Sequence, residues 1–361
     1  MRGHFDLRLK VELGPGGDLN PVGVPATGKF HSWLDSTPDG GIVRQRNLAI
    51  LCNAISGGAW GCYALFGPSG HVFKRQAAFK PNEDRVVALQ QARESLVLLR
   101  NDGALPLRSD LRTLAVIGCH AATARYFIGG YTHYSMAEGK LAANSSMAGL
   151  ATSSENHQTV TNTVPGATIE ASDGPAFEEL LQLQQPGIRN LLEELRIRVP
   201  GVEVEWAYGY PISGNDDSGH DEAIALVARA DVVILTLGGK HGTASIASMG
   251  EGIDATDINL PSCQDDLIVK LAPLGKPMIG VHLDGQPVSS DAADTHLAAL
   301  LEAWNPAEGG AEAIVDILTG AHDPSGRLPV SIAHNAGQVP VYYNHPHGSA
   351  WHQGNSIGFS D

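Results

Sequence analysis

The chain has 361 residues, a length that fits one large domain or two domains of ordinary size. Apolar residues make up 43%, and the 42 glycines and 21 prolines stay below low-complexity levels, which excludes a coiled coil and a disordered chain. The net charge of −15 argues against a nucleic-acid partner and against attraction to an anionic membrane. A neutral partner such as a sugar suits this charge balance.

Residues 1–80 show no clear periodicity, because glycine and proline clusters interrupt them repeatedly. We expect an irregular N-terminal segment there, and its first residues show no signal-peptide pattern. The stretch 48–67 is uncharged and long enough to cross a bilayer, but its polar and glycine residues favour a buried segment over a membrane span. The four cysteines have no Cys-x-x-Cys spacing, which argues against a zinc or thioredoxin-like site, and they are too few for a disulfide scaffold, which favours free thiols.

The chain changes character near residue 81. Apolar residues recur at helical spacing from Leu89 to Leu99, and Asn-Asp-Gly at 101–103 predicts the end of that helix. A buried strand is predicted over 113–118, and a mostly polar insert follows over 145–173. The next predicted helix covers 186–199.

Strands and helices then alternate to the end of the domain. The predicted strands are 202–207, 231–238, 276–283, 297–304 and 327–332, and the predicted helices are 221–229, 264–272 and 308–320. Continuous apolar strands separated by amphipathic helices predict an α/β fold, an open and mostly parallel sheet with helices on both faces. The predicted division is an irregular segment over 1–80, an α/β sandwich over 81–348 and a tail over 349–361.

Function in such sheets lies at the carboxyl ends of the strands, which directs attention to the loop after strand 231–238. Glu251 stands between two glycines in this loop. A loop of about 22 residues inside a compact domain is often functional. Two interpretations stay open: Glu251 is a solvated surface residue, or it is a mobile carboxyl that donates a proton once it enters an apolar pocket.

Four further residues are candidates for substrate contacts. Lys240 and His241 share the loop and form either a polar rim or hydrogen bonds to ligand hydroxyls. Asp254 either orients a partner group or caps a turn. Tyr131 follows the first parallel strand and either stacks on a sugar ring or packs its own loop.

Several catalytic and cofactor motifs are absent from the sequence. It contains no P-loop, no Gly-x-Gly-x-x-Gly turn, no Gly-x-Ser-x-Gly elbow and no His-Glu-x-x-His motif. The 15 histidines are scattered along the chain. We therefore predict neither a cofactor nor a metal site.

A family resemblance rests on segments that occur in a fixed order. They are ARESLVLLRNDGALPL at 92–107, YFIGGYTH at 126–133, the loop with its GEG at 230–261, EAWNPAEGG and the following residues at 302–332, and GQVPVYYNH at 337–345. Together they span 85–348, and the chain resembles the C-terminal α/β-sandwich domain of glycoside hydrolase family 3.

The resemblance implies a retaining β-glycosidase acting on terminal β-D-glucosides or β-D-xylosides. Members pair the sandwich with a (β/α)8 barrel, whose aspartate is the nucleophile, and a glutamate on the sandwich loop is the acid/base in many of them. By motif position that glutamate is Glu251. Retaining chemistry needs the two carboxyls about 5–5.5 Å apart.

The sequence departs from the family pattern in two ways. Residues 1–80 are too few for a barrel, which needs roughly 200 residues. Asp254-Ala255-Thr256 stands where many members have an Asp-Arg pair. We therefore expect the chain to supply the acid/base half of a site, to be inactive alone, and to need a barrel as a partner chain or further domain. The alternative is a non-catalytic carbohydrate-binding protein or a truncated family member.

Overall fold

A computed structural model of the chain describes residues 81–142, 163–172, 174–242 and 245–342. The predicted irregular segment, the uncharged stretch 48–67 within it, and the predicted tail lie outside the described residues. Among the described helices, none is both long enough and apolar enough to cross a membrane. The domain boundaries drawn from the sequence stay a prediction.

The centre of the described chain is a six-stranded sheet. Its strands are β1 (Val97–Asn101), β2 (Thr113–Ile117), β3 (Glu203–Ala207), β4 (Val232–Gly238), β5 (Met278–Leu283) and β6 (Ala299–Glu302). Their order across the sheet is β1-β6-β5-β4-β2-β3. Every pairing is parallel except that of the edge strand β1, which runs antiparallel to β6.

Helices cover both faces of this sheet. They are α1 (Pro81–Ser95), α2 (His133–Ala142), α3 (Pro175–Gln184), α4 (Leu191–Arg198), α5 (His220–Arg229), α6 (Ser262–Leu271), α7 (Asp291–His296) and α8 (Gly310–Thr319). Helices α1, α3, α4 and α8 share one apolar cluster with the sheet, and α5, α6 and α7 share the other. The predicted fold class, an open and mostly parallel α/β sheet with helices on both faces, is confirmed.

Strand β4 explains why the sheet needs cover on both sides. All seven of its residues are buried. Ile234 points into one apolar cluster, whereas Val233 and Leu235 point into the other, because side chains alternate across a pleated strand. A strand that is apolar at every position is stable only between two layers.

Two predicted elements were wrong. The helix predicted to run to Asn101 ends at Ser95, and Val97–Asn101 is strand β1, because the apolar residues after Leu96 find backbone partners on β6. Pairing with a neighbouring strand here outweighs local helical spacing. The strand predicted over 327–332 does not form, since Pro329 interrupts it with a residue that has no N–H to donate.

Candidate active-site surface

The loops after β2 and β4 meet at the carboxyl edge of the sheet, because these two strands are neighbours and run parallel. Gly130 shows how closely they approach: a Cβ added there would lie 3.0 Å from the Cα of Gly242. The two loops carry all five residues predicted for the site.

Glu251 occupies a tight turn whose flanking glycines are required by its geometry. The Ile253 N–H donates to the Gly250 carbonyl at 3.2 Å, which closes a four-residue turn with Glu251 as its second residue. Gly252, the third residue, has φ +75°, the left-handed conformation that a type II turn requires and that glycine adopts without strain. The turn therefore holds Glu251 at a tip of the loop, where its side chain is exposed.

Gly250 fixes the base of this turn against the preceding part of the loop. Its φ is +133°, and a Cβ at this position would lie 2.0 Å from the Gly242 carbonyl oxygen. The Gly242 N–H in turn donates to the Met249 carbonyl at 2.9 Å. No residue with a side chain fits at 250 without moving this backbone.

Tyr131 is the described partner of the Glu251 carboxylate. Its hydroxyl donates to Glu251 Oε2 at 2.9 Å, and both side chains are exposed. The hydrogen bond to this carboxylate raises the pKa of Tyr131, since removing the phenolic proton would leave two negative charges in contact. The loop after β2 therefore touches the candidate acid directly.

His241 lies beside this pair and is held by the backbone. The Gly130 N–H donates to His241 Nδ1 at 2.9 Å, which leaves the ring proton on Nε2. The centre of its ring is 6.2 Å from that of Tyr131. Partial burial lowers the pKa of His241, so the ring is neutral at pH 7.

Lys240 lies differently from the predicted polar rim. Its side chain is 3% exposed, and its ammonium donates to Glu138 Oε1 at 2.6 Å and to Ser172 Oγ at 2.9 Å. Burial lowers the pKa of Lys240 to about 8, and the negative charge of Glu138 opposes that shift. In this arrangement the ammonium fastens the loop to α2 and does not face the surface that carries Glu251.

Asp254 is exposed one residue beyond the turn, and none of the described residues donates a hydrogen bond to its carboxylate. The structure thus brings Glu251, Tyr131 and His241 together at one exposed surface. It places Lys240 behind that surface and Asp254 beside it.

Sequence reasoning missed two kinds of polar residue at this edge. Glu138 lies on α2, a helix without a clear apolar pattern in the sequence, so nothing in the sequence links it to Lys240. His282, Asp284 and Glu302 form a second, fully buried group at the ends of β5 and β6. The sequence signal that could have found them is the presence of ionisable residues within or directly after continuous apolar strands, because such residues are rarely fully buried unless they are paired.

The fold and this edge define an open α/β-sandwich domain that presents a glutamate on a glycine turn. Residues 96–359 match the model of the glycosyl hydrolase family 3 C-terminal domain. The chain belongs to this family, as its sequence resemblance indicated.

Curated relatives include the periplasmic beta-glucosidase of Salmonella typhimurium, which is 32% identical over 265 residues. A beta-xylosidase of Formosa agariphila is 29% identical over 264 residues. These matches cover 72% and 73% of this chain but only 30% of each relative. Among solved structures, the beta-glucosidase of Listeria innocua in complex with isofagomine superposes with a TM-score of 0.55 at 25% identity, covering 77% of this chain and 31% of that one. The chain therefore spans about a third of the length of such proteins.

Proposed function

We propose that this domain supplies Glu251 as the acid/base of a retaining β-glycosidase site. In this reaction an aspartate of a (β/α)8 barrel, on a partner chain or in a further domain, attacks the anomeric carbon. Glu251 protonates the departing glycosidic oxygen and then activates the water that releases the sugar. Terminal β-D-glucosides and β-D-xylosides are the proposed substrates, as the names of the relatives suggest.

The observation that carries the proposal is the exposed Glu251 turn with Tyr131 against it. The two glycine conformations and the close contact with Gly242 set the backbone position of the acid. The Tyr131 hydroxyl holds one of its oxygens at 2.9 Å. A catalytic carboxyl must be held in place and still be accessible to a second surface, and the anchored, exposed position of Glu251 supports such a role.

The exposure of Glu251 also explains why a second surface is needed. A general acid works best when it is enclosed with its substrate in a water-poor cleft, where burial favours the protonated form of a carboxyl. Within the described residues, nothing encloses Glu251 in this way. A barrel closing over the turn would provide the enclosure as well as the nucleophile, and we expect little turnover by this chain alone.

The test uses the full chain with and without a barrel. The barrel would come from the Salmonella relative, truncated before its matching segment and added in trans or fused ahead of this chain. Aryl β-glucosides and β-xylosides with leaving groups of graded acidity are the substrates. We expect Glu251→Gln to slow the hydrolysis of phenyl glycosides by about 10²–10⁴-fold, because general-acid catalysis contributes about that much to the rate. For dinitrophenyl glycosides, whose leaving group departs without a proton, the rate of the bond-cleaving step should fall far less.

Glu203→Gln is the matched control, since it makes the same change at an exposed glutamate that begins β3, at the opposite edge of the sheet. Added azide should restore turnover of dinitrophenyl substrates by Glu251→Gln, because it replaces the water that the variant can no longer activate. A loss that is equal for all leaving groups contradicts the acid role. Saturable sugar binding by the lone chain that survives Glu251→Gln, without turnover in any combination, would favour the carbohydrate-binding alternative.

A further inference from the structure

A second polar group lies buried inside the domain, at the ends of β5 and β6. His282 lies near the end of β5, Asp284 directly follows β5, and Glu302 ends β6. All three side chains are at most 2% exposed. One ligand-type atom from each lies within 4.8 Å of the others. The parallel pairing of β5 with β6 creates this arrangement, because His282 and Glu302 are register partners.

The hydrogen bonds of the protein leave this group incomplete. His282 Nδ1 lies 3.3 Å from Glu302 Oε2, and the backbone N–H of Trp304 donates to Glu302 Oε1 at 2.9 Å. His282 Nε2 has no hydrogen-bond partner among the described residues. The Asp284 carboxylate has only a weak contact with the Gln286 backbone N–H, which does not reach hydrogen-bond geometry. Burying a carboxylate without partners costs several kcal/mol, so natural proteins pair such groups or coordinate them to a metal.

The charges point to the kind of group that completes the cluster. Asp284 and Glu302 carry two negative charges when ionised, and the charged neighbours acting on His282 are acidic, namely these two residues and Asp294. Among the described residues, neither Asp284 nor Glu302 has a salt bridge to lysine or arginine. A single divalent cation would neutralise the pair.

We propose that His282, Asp284 and Glu302 bind one divalent first-row metal ion, of the zinc or manganese type. One imidazole and two carboxylates form a mixed nitrogen and oxygen donor set that suits these ions better than calcium or magnesium. Ligand atoms about 2.0–2.2 Å from one ion lie at most about 4.4 Å apart, so a small side-chain adjustment brings the cluster to that spacing. The proposal is independent of the catalytic role proposed for Glu251.

The site would stabilise the loops that follow β5 and β6. The Asn305 side-chain amide donates to the Asp284 carbonyl at 2.9 Å, which links the two loops. Trp304 and Ala307 have φ of 53° and 59°, conformations that cost energy in residues with a side chain. Gly285 packs so tightly against His241 that an added Cβ would lie 2.4 Å from the imidazole. A metal bound by Asp284 would therefore hold Gly285 in place against His241, which lies at the surface that carries Glu251.

The experiment measures metal binding by the full chain directly. Protein stripped with a chelator is titrated with ZnCl2 or MnCl2 in a calorimeter, and its metal content is measured after gel filtration. We expect one ion per chain and, at saturating metal, a rise in Tm of at least about 4 °C. Cobalt(II) in place of zinc should give visible absorption bands of a site with imidazole and carboxylate ligands.

Asp284→Asn should weaken metal binding by more than about 100-fold. A substitution next to a metal ligand typically weakens binding by about 10–100-fold, and this variant changes a ligand itself. With the metal removed by chelator, Asp284→Asn should unfold at the same temperature as the wild type or higher, because it replaces a poorly partnered buried carboxyl by a neutral amide. Glu302→Gln is the second variant, since its amide oxygen can still accept from the Trp304 N–H. Asp323→Asn, at an exposed carboxyl, is the matched control and should bind as the wild type does.

Three results would overturn the proposal. They are substoichiometric binding by the wild type, equal binding by the wild type and both cluster variants, and a Tm that metal leaves unchanged. Binding through scattered surface histidines would appear as the second result, because neither variant changes those residues.

Discussion

The same two chain segments touch each other both inside the protein and at its surface. In the interior, Lys240 of the β4 loop pairs with Glu138 of α2. At the surface, Glu251 of that loop accepts a hydrogen bond from Tyr131, just before α2. Both contacts bring a carboxylate to a donor, but Lys240 and Glu138 are at most 3% exposed, whereas Tyr131 is 64% exposed.

The difference in burial indicates that the two contacts have different effects on the loop. A buried pair is costly to form, but losing one partner is costlier still, so it fixes the loop in one place. An exposed hydrogen bond competes with water at every moment and contributes little to stability. The buried contact therefore fixes the start of the loop at Lys240, and the glycine turn sets the backbone of Glu251. The exposed contact orients the Glu251 carboxylate but can be exchanged for another partner.

Removing the buried cation should have the largest effect. We expect Lys240→Met to lower the free energy of unfolding by about 3–5 kcal/mol, because the Glu138 carboxylate is left buried without its cation. Urea denaturation measures this loss. The double variant Lys240→Met/Glu138→Leu should recover most of it, and a double variant as unstable as the single one would show that the pair does not act as a unit.

The pH dependence of the same pair has a defined sign. The pKa of Lys240 is lowered from 10.5 in a free side chain to about 8 by burial. Between these values the unfolded chain binds more protons at this site than the folded chain, so the contribution of Lys240 to stability rises as the pH rises. The stability of the wild type relative to Lys240→Met should therefore increase between pH 8 and pH 10.5. A flat difference over that range would place the ammonium in water.

The interior contact and the exposed one also differ in how far the sequence could predict them. The apolar run predicted strand β4, and the usual location of sites in parallel sheets directed attention to the loop after it. The two flanking glycines singled out Glu251 within that loop. The inward direction of Lys240 did not, because Lys240 and His241 are adjacent polar residues with identical local patterns. Which of them points inward is decided by Glu138, about a hundred residues earlier, on a helix that has no strong periodic signal of its own.

The turn itself can be disrupted without substituting a residue of either contact. Gly250→Ala should destabilise the protein by about 3 kcal/mol, because its φ of +133° is strained for alanine and its Cβ meets the Gly242 carbonyl. Gly103→Ala is the matched control: its φ is +89°, but nothing lies within 4 Å of the added Cβ. That variant should lose only about 1–2 kcal/mol from the backbone. Equal losses in urea denaturation would mean that the contact with Gly242 is not tight in solution.

The smallest effect is expected at the exposed hydrogen bond, and it is best measured on the tyrosine. Glu251→Gln should lower the pKa of Tyr131 toward its usual value, because the carboxylate that opposes loss of the phenolic proton is gone. Nuclear magnetic resonance of tyrosine labelled at the carbon that bears the hydroxyl follows this titration, and Tyr131→Phe identifies the signal. The denaturation midpoint should hardly move in either variant, since both side chains are exposed. The shift should also shrink at high salt, where exposed charges are screened. A Tyr131 titration that is identical in wild type and Glu251→Gln would show that water has replaced this contact, and that only the glycine turn positions the carboxyl.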